Sequence, residues 1–273
     1  MHERNVYFLG PEGSYSDLAS KKMFPYSSRV PVDNFQEITK MVAGGDAIGV
    51  LPVENSTTTT VYENLARLYE RNLVIVGEFS LKIVLNLVGV EGCKLTEITQ
   101  VLSHPKALEQ CSEIINTHGM EAIPVDSTSA AMQQIVNLKR TDMAAIGSME
   151  GAQEFGLGII AENIGNFKDN QTRFVAVRKR KSVEEFDTDK ATKVSLILKI
   201  KDEPGSLHKI TGEIFHAGGN LKYIQSRPIP ENLGSYLFLV DITGKDLSAV
   251  VRAVEESAQE TFILGAYGTL PNS

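Results

Sequence analysis

Residues 168–178 read K-D-N-Q-T-R-F-V-A-V-R, a polar run closing on a single arginine just ahead of an apolar strand. An Asp- and Asn-rich turn feeding a strand accounts for these residue types by itself. Any chemistry must therefore come from what the fold sets around them. Leu9 is followed by G-P-E-G-S-Y-S-D. Gly10 and Gly13 permit a sharp turn, and Ser14 with Asp17 has the spacing of a helix cap. N–H groups at that helix start, with the hydroxyls of Ser14 and Ser16, suit a carboxylate or a phosphate. A plain strand-to-helix turn fits the same residues, and neither the dinucleotide fingerprint nor a P-loop is present.

L-P-V-E-N-S-T-T-T-T follows the apolar run Ala47 to Leu51 and sets Glu54, Asn55, Ser56 and the threonines through Thr60 past a strand's carboxyl end. Ligands of parallel sheets bind there; a cap for a helix over Val61 to Leu68 is the alternative. In V-L-S-H-P-K-A-L-E-Q-C, Ser103 ends a strand, Pro105 suits a first helical turn, and Ser103 and Gln110 read as positioning groups. His104 and Cys111 do not read as a nucleophile pair. Cys93 and Cys111 fit reduced structural thiols, and no Cys or His spacing resembles a zinc site. One arginine, several hydroxyls and amides and one glutamate suit a small polyanion and a reaction needing orientation and a proton rather than a cofactor or metal.

The elements that must position these groups show a repeat. Val32-Asp33 opens a helical stretch (Phe35, Ile38, Met41, Val42) and Gly45-Asp46 leads into A-I-G-V-L. Val125-Asp126 opens another (Ala130, Ala131, Gln134, Ile135) and Thr141-Asp142 leads into M-A-A-I-G. Each is strand, capped helix, strand, the unit of a parallel α/β sheet. Two equivalent lobes are expected, one over about residues 1–76 and 167–180, the other over about 77–166. The apolar run Leu73 to Val90 and the return N-I-G-N-F-K-D-N-Q-T-R-F would cross between them, which places a ligand-enclosing cleft at the crossing. Residues 181–191 read as a charged linker. Beyond it, Val194, Leu196, Leu198 and Ile200 alternate as a strand, and Leu207, Ile210, Ile214 and Phe215 recur as a helix. Strands at Leu221 to Arg227 and Tyr236 to Ile242, a helix at Leu247 to Val254 and a strand near Phe262 to Ala266 complete βαββαβ, a ferredoxin-like sandwich. Such a module often completes its core by pairing with a second copy.

A net charge of −7 with no long basic run argues against nucleic-acid or anionic-membrane partners. An anionic substrate must then meet local positive groups. Met1-His-Glu-Arg-Asn leads straight into V-Y-F-L with no apolar stretch of signal or membrane-span length, so a cytoplasmic protein is expected.

In order and spacing, G-P-E-G-S-Y-S-D-L-A, P-V-E-N-S, S-H-P-K-A-L-E-Q-C and N-Q-T-R-F resemble prephenate dehydratases, and the tail resembles the ACT regulatory domain that follows the catalytic part in that family. The resemblance implies a catalytic part over 1–180 folded like the two-lobed type II periplasmic binding proteins and an ACT domain over 192–273. It also implies conversion of prephenate to phenylpyruvate, water and carbon dioxide in phenylalanine biosynthesis, without a cofactor. It puts the family's essential threonine at Thr172, beside Arg173 and Phe174, its E-N pair at Glu54 and Asn55, and its serine and glutamine at Ser103 and Gln110. Thr59-Thr60 stand where the family usually has glycine and serine, and Lys82 where proline is common. The pocket's fine shape, and the choice between prephenate and arogenate, stay open on that account.

On this footing Arg173 is expected to pair with a substrate carboxylate through its planar fork. Asn55, Ser103 and Gln110 would fix the ring, Thr172 would donate a hydrogen bond or proton to the leaving hydroxyl, and Glu54 would orient a donor or shuttle protons. Ser14, Ser16, Ser56, Thr60, Asn170 and Phe174 would complete the substrate site. In the tail, D-E-P-G-S-L-H-K-I-T and N-L-K-Y-I-Q-S-R-P resemble the ACT stretches that hold phenylalanine between paired domains. Gly205, Leu207, Ser226, Arg227 and Pro228 match; Ser206, His208 and Gln225 replace alanine, valine and glutamate. L-phenylalanine feedback in a homodimer or homotetramer is the implication, and cutting after about Asp189 is expected to leave a working, phenylalanine-insensitive dehydratase. The alternatives are an arogenate dehydratase of the same fold and a non-catalytic small-molecule sensor.

Overall fold

The computed structural model describes residues 4–57, 62–182, 186–228 and 236–270. The chain begins with β1 (Val6–Leu9), α1 (Tyr15–Met23), β2 (Arg29–Val32), α2 (Phe35–Gly44), β3 (Ile48–Asn55), α3 (Tyr62–Glu70) and β4 (Leu73–Lys82). It then leaves this sheet. β5 (Asn86–Gly89), β6 (Gln100–Ser103), α4 (Pro105–Gln110), α5 (Ser112–Thr117), β7 (Glu121–Pro124), α6 (Thr128–Leu138), β8 (Met143–Gly147), α7 (Met149–Glu154) and β9 (Gly158–Ala161) build a second sheet with its helices. β10 (Gln171–Lys179) returns to the first.

The strand orders are β2-β1-β3-β10-β4 and β7-β6-β8-β5-β9. These are one pattern used twice: three parallel strands, then an antiparallel strand that has crossed from the other lobe. The likeness between the two βαβ stretches is thus the helix crossover of each lobe. Both crossover helices start on a side-chain cap, Asn34 accepting from the Glu37 amide and Ser127 from the Ala130 amide. Such caps satisfy donors that a helix start leaves open. The architecture is the mixed α/β, two-lobed one expected, and the crossing strands do lie where the apolar run 73–90 and the return before β10 place them.

The third sheet comprises β11 (Lys193–Ile200), β12 (Gly219–Pro228), β13 (Tyr236–Gly244) and β14 (Glu260–Tyr267), with α8 (Ser206–His216) and α9 (Leu247–Ser257). Its order β12-β13-β11-β14 is the ferredoxin-like one. Strand alternation splits its core in two. Val194, Leu196, Leu198 and Ile200 pack on Ile210, Ile214, Val250 and Val254 of the two helices. On the other face Ile197, Leu239, Leu264 and Tyr267 share a core with Leu51, Leu73, Ile75, Val175 and Val177 of the first sheet. Contact is close enough that a Cβ on Gly265 would lie 2.4 Å from the Ile75 carbonyl oxygen. The Arg180 guanidinium lies 4.2 Å over the Phe262 ring and adds to the seam.

This seam corrects the expectation of a detachable tail. Cutting after Asp189 would return Ile197, Leu239 and Leu264 of the removed sheet, and the residues they cover, to water. Each fully buried aliphatic side chain of this kind contributes about 1.5–3 kcal/mol. The catalytic lobe is therefore not expected to stand unchanged without its third sheet. No helix among the described residues is long and apolar enough to cross a membrane.

Candidate active site

β3 and β10 run antiparallel, with Thr172 opposite Asn55 and Arg173 opposite Glu54. The next pair is Phe174 with Pro52, so Val53 is an extra residue on β3 and the ladder is bulged there. Bulges commonly re-aim side chains beside a site. Thr172, Phe174, Asn55 and Pro52 line a cavity of about 390 Å³ between the lobes. Arg173 faces the other side of the sheet, as the next residue of a strand must.

Four polar side chains on that wall close into a ring. The Asn55 amide donates to Asn170 Oδ1 (2.8 Å) and Thr172 Oγ1 (2.9 Å). The Asn170 amide donates to Gln110 Oε1 (3.0 Å), Gln110 donates to Thr57 Oγ1, and Thr57 Oγ1 donates back to Asn55 Oδ1 (2.8 Å). Because Asn55 and Thr57 come from the first lobe, Gln110 from the second and Asn170 from the return crossing, the ring ties both lobes at the hinge. Thr172 enters this ring as an acceptor, so its own proton remains to be given elsewhere.

The same cavity is lined by Ser14, Tyr15 and Ser16 at the start of α1, His104 and Lys106 at the start of α4, and Asp126 to Ser129 at the start of α6. The N-termini of α1 and α6 bring positive dipole ends. Ser129 Oγ is fully buried and has no hydrogen-bond partner among the described residues. A buried hydroxyl left so costs free energy unless a ligand satisfies it. Tyr15 donates to the Val84 carbonyl across the hinge (2.8 Å), and burial, then Cys111 and Glu150, push its phenol well above the usual range. A larger hollow of about 920 Å³ continues outward past Glu12, Asp33 and Glu154. Its acidic rim is ill suited to anions, which makes the inner cavity the better candidate.

His104 caps α4, with Nδ1 accepting from the Lys106 amide (3.2 Å). Burial, then Lys106, lower its pKa. The folded state therefore binds this proton less readily than the unfolded chain. Its contribution to stability is whole above the unfolded pKa near 6.5 and is lost as pH falls through the lower folded value. Thermal unfolding of His104→Asn, which keeps the cap acceptor, is expected to show a smaller loss of Tm than wild type between pH 7 and 5. Cys111 is fully buried with its thiol pushed up to about 12 by burial, in keeping with a structural role.

The fold thus brings Thr172, Asn55, Gln110, Asn170, Phe174, Ser14 and Ser16 to one cavity. Four other candidates it places elsewhere. The Arg173 guanidinium is buried and spends all three nitrogens on carboxylates: Nε on Glu54 (3.0 Å), Nη1 on Glu78 (3.2 Å) and Nη2 on Asp241 (2.7 Å) of β13. Burial opposes its charge, but Asp241, with Tyr267, Glu78 and Glu54, more than offsets this and holds the pKa above the usual value. Arg173 is not a substrate-carboxylate ligand in this geometry, and Glu54, its partner, faces away from the cavity too. Ser103 is fully buried and donates to the Ile146 carbonyl (3.0 Å), so it fastens β6 to β8. Ser56 joins the end of β3 to the start of β10, donating to the Asp169 carbonyl and accepting from the Gln171 amide. Thr60 lies outside the described residues.

In the third sheet Gly205 is the N-cap of α8 at φ +87°, with Ser206 and Leu207 beginning the helix. Gln225, Ser226 and Arg227 lie on the edge strand β12, where Tyr223 donates to Gln225 Oε1; the Pro228 side chain lies outside the described residues. Sequence reading missed Tyr15, Lys106 and the D-S-T-S start of α6. The repeat itself was the signal for the last, since it marks a polar helix start at the same place in each lobe.

Two crossing-linked α/β lobes, a cavity lined by helix starts and an amide–hydroxyl ring, and a ferredoxin-like sheet sealed to the first lobe define a two-lobed fold built to enclose a small molecule. The prephenate dehydratase family profile matches residues 6–182 and the ACT domain profile residues 194–258. A prephenate dehydratase of Methanocaldococcus jannaschii is 34% identical over 98% of this chain and 98% of its own. Among solved structures, the prephenate dehydratase from Arthrobacter aurescens in complex with L-Phe has a TM-score of 0.85 at 27% identity, covering 98% of this chain and 91% of its own. The quorum-quenching acylase GqqA has a TM-score of 0.89 at 27% identity, covering 98% and 99%. The chain belongs to the prephenate dehydratase family.

Proposed function

We propose that the chain dehydrates and decarboxylates prephenate to phenylpyruvate for phenylalanine synthesis, and that L-phenylalanine acting on the ACT domain slows it. The observation that carries the reaction is the Thr172 hydroxyl, held as acceptor by Asn55 at the floor of the cavity. As the C–CO2 bond breaks, its electron pair enters the ring, the ring becomes aromatic, and the C–OH bond breaks with the hydroxyl leaving as water. Thr172 donates the proton that makes that departing oxygen water and regains one from solvent when the products leave. A hydroxyl so weakly acidic in water is useful only where it is preorganised and shielded. Phe174 and Ile83 supply the apolar floor, the ring of amides fixes Thr172, and Lys106 with the helix starts at Ser14 and Ser127 receives the carboxylates.

Ser129 gives this reading a local test. Its unpaired Oγ would bond a carboxylate, so Ser129→Ala is expected to raise the KM for prephenate roughly 10- to 150-fold, the span of one hydrogen bond to a charge, with kcat little changed. An unchanged KM would remove Ser129 from the substrate's reach. Arogenate, which carries an ammonium group, is the competing substrate, and Asp126 on the same wall is the group that would favour it. Side-by-side kcat/KM values for the two substrates, with and without L-phenylalanine, separate these readings.

For the effector, the Arthrobacter enzyme's complex with L-Phe supports phenylalanine as a ligand, and its place on the ACT domain is part of the proposal. The start of α8 at Gly205 to Leu207 and the β12 residues Gln225 to Arg227 are the groups we assign to it. Pairing of two ACT domains around the ligand, in a dimer or tetramer, and residence in the cytoplasm complete the reading.

A further inference from the structure

Arg173 sits between the inferred catalytic threonine and the ACT sheet, and each neighbour is a named contact. On one side it is the next residue of β10 after Thr172 and pairs across the strand with Glu54. On the other its Nη2 meets Asp241, a residue 1% exposed on β13. The second Asp241 oxygen accepts from Ser195 Oγ (2.5 Å), which also bonds the Tyr267 hydroxyl (2.7 Å). Glu78 on β4 joins the same cluster, receiving Arg173 Nη1 and Lys193 Nζ (2.7 Å). Asp241 also stands opposite Tyr223 of β12 in the sheet register, and the Tyr223 hydroxyl bonds Gln225. One buried polar cluster therefore joins β11, β13 and β14 of the ACT sheet to the residue beside Thr172.

We propose that Arg173 is a positioning residue: clamped by Asp241 of the ACT sheet, it fixes the β10 backbone so that Thr172 meets the leaving hydroxyl. Through this clamp a change in the ACT sheet reaches the cleft. The inference rests on the dehydratase reading for its catalytic consequence. The physical basis is that the guanidinium is held at all three nitrogens, two of them on the buried carboxylates of Glu78 and Asp241, so a shift of β13 drags β10 rather than merely stretching one bond. Misplacement of a catalytic group by about 1 Å can cost on the order of 10²-fold in rate.

The test uses full-length wild type, Asp241→Asn and the milder Ser195→Ala, neither of which alters the cavity wall. Steady-state kinetics on prephenate, the response to L-phenylalanine, and amide hydrogen exchange along β10 and β8 are measured together. Asp241→Asn is expected to lower kcat by roughly 10- to 100-fold with KM within about twofold, to blunt the phenylalanine response, and to speed exchange at residues 171–174 while β8 stays protected. Ser195→Ala is expected to do the same to a smaller degree. Unchanged kcat with unchanged exchange in both variants overturns the proposal, as does a rise in KM alone. If wild type itself leaves prephenate intact, the dehydratase reading has failed, and exchange at residues 171–174 decides the mechanical tie by itself.

Discussion

Thr172→Ala is expected to lower kcat on prephenate by roughly 10²- to 10⁴-fold, the usual worth of a general-acid contribution, with KM changed only a few-fold. Its hydroxyl, at the cavity floor, is held as an acceptor by Asn55 and left with a proton to give. The alanine variant keeps the Asn55–Asn170–Gln110–Thr57 ring, because none of those bonds involves Thr172. The fold should survive. Thr172→Ser restores the hydroxyl and is expected to recover much of the rate. Steady-state kinetics with circular dichroism to establish folding check this, and near-normal kcat in a folded alanine variant would exclude Thr172 as the donor.

The second large effect is on stability. Arg173→Ala leaves Asp241 buried without its cation and Glu78 with Lys193 alone, and removing one partner of a buried ionic cluster typically costs about 3–5 kcal/mol. Urea unfolding is expected to show that loss, with the midpoint moved sharply down. Arg173→Lys keeps the charge but cannot reach three carboxylates in three directions, so it should recover only part of the loss. A variant with wild-type stability and a raised KM would instead return Arg173 to the substrate, as the motif alone suggested.

Arg173 also shows what a sequence can and cannot convey here. Alternation along an apolar strand was legible, and with it the rule that Thr172 and Arg173 face opposite ways. Which face is the cleft was not, because the partner that claims Arg173 lies 68 residues away in Asp241, beyond any local pattern. Ser103 misled for a related reason: a serine at the end of a parallel strand often meets a ligand, but this one is sealed under Ile146 by the second sheet's packing. Periodicity revealed the repeat, the two crossings and the order of the third sheet. It gave no sign that Ile197, Leu239 and Leu264, an alternating apolar face in their own right, would cover the first lobe, since an outward apolar face does not name what it meets.

On the function proposed above, this cavity aromatises prephenate by orientation and proton donation from the chain's own side chains. Purified full-length protein incubated with prephenate in the presence of a chelator, with prephenate loss and phenylpyruvate absorbance followed together, tests it most directly. Catalytic turnover that yields one phenylpyruvate for each prephenate consumed and is indifferent to the chelator is expected. Prephenate that decays only at its spontaneous rate beside a folded protein would contradict it.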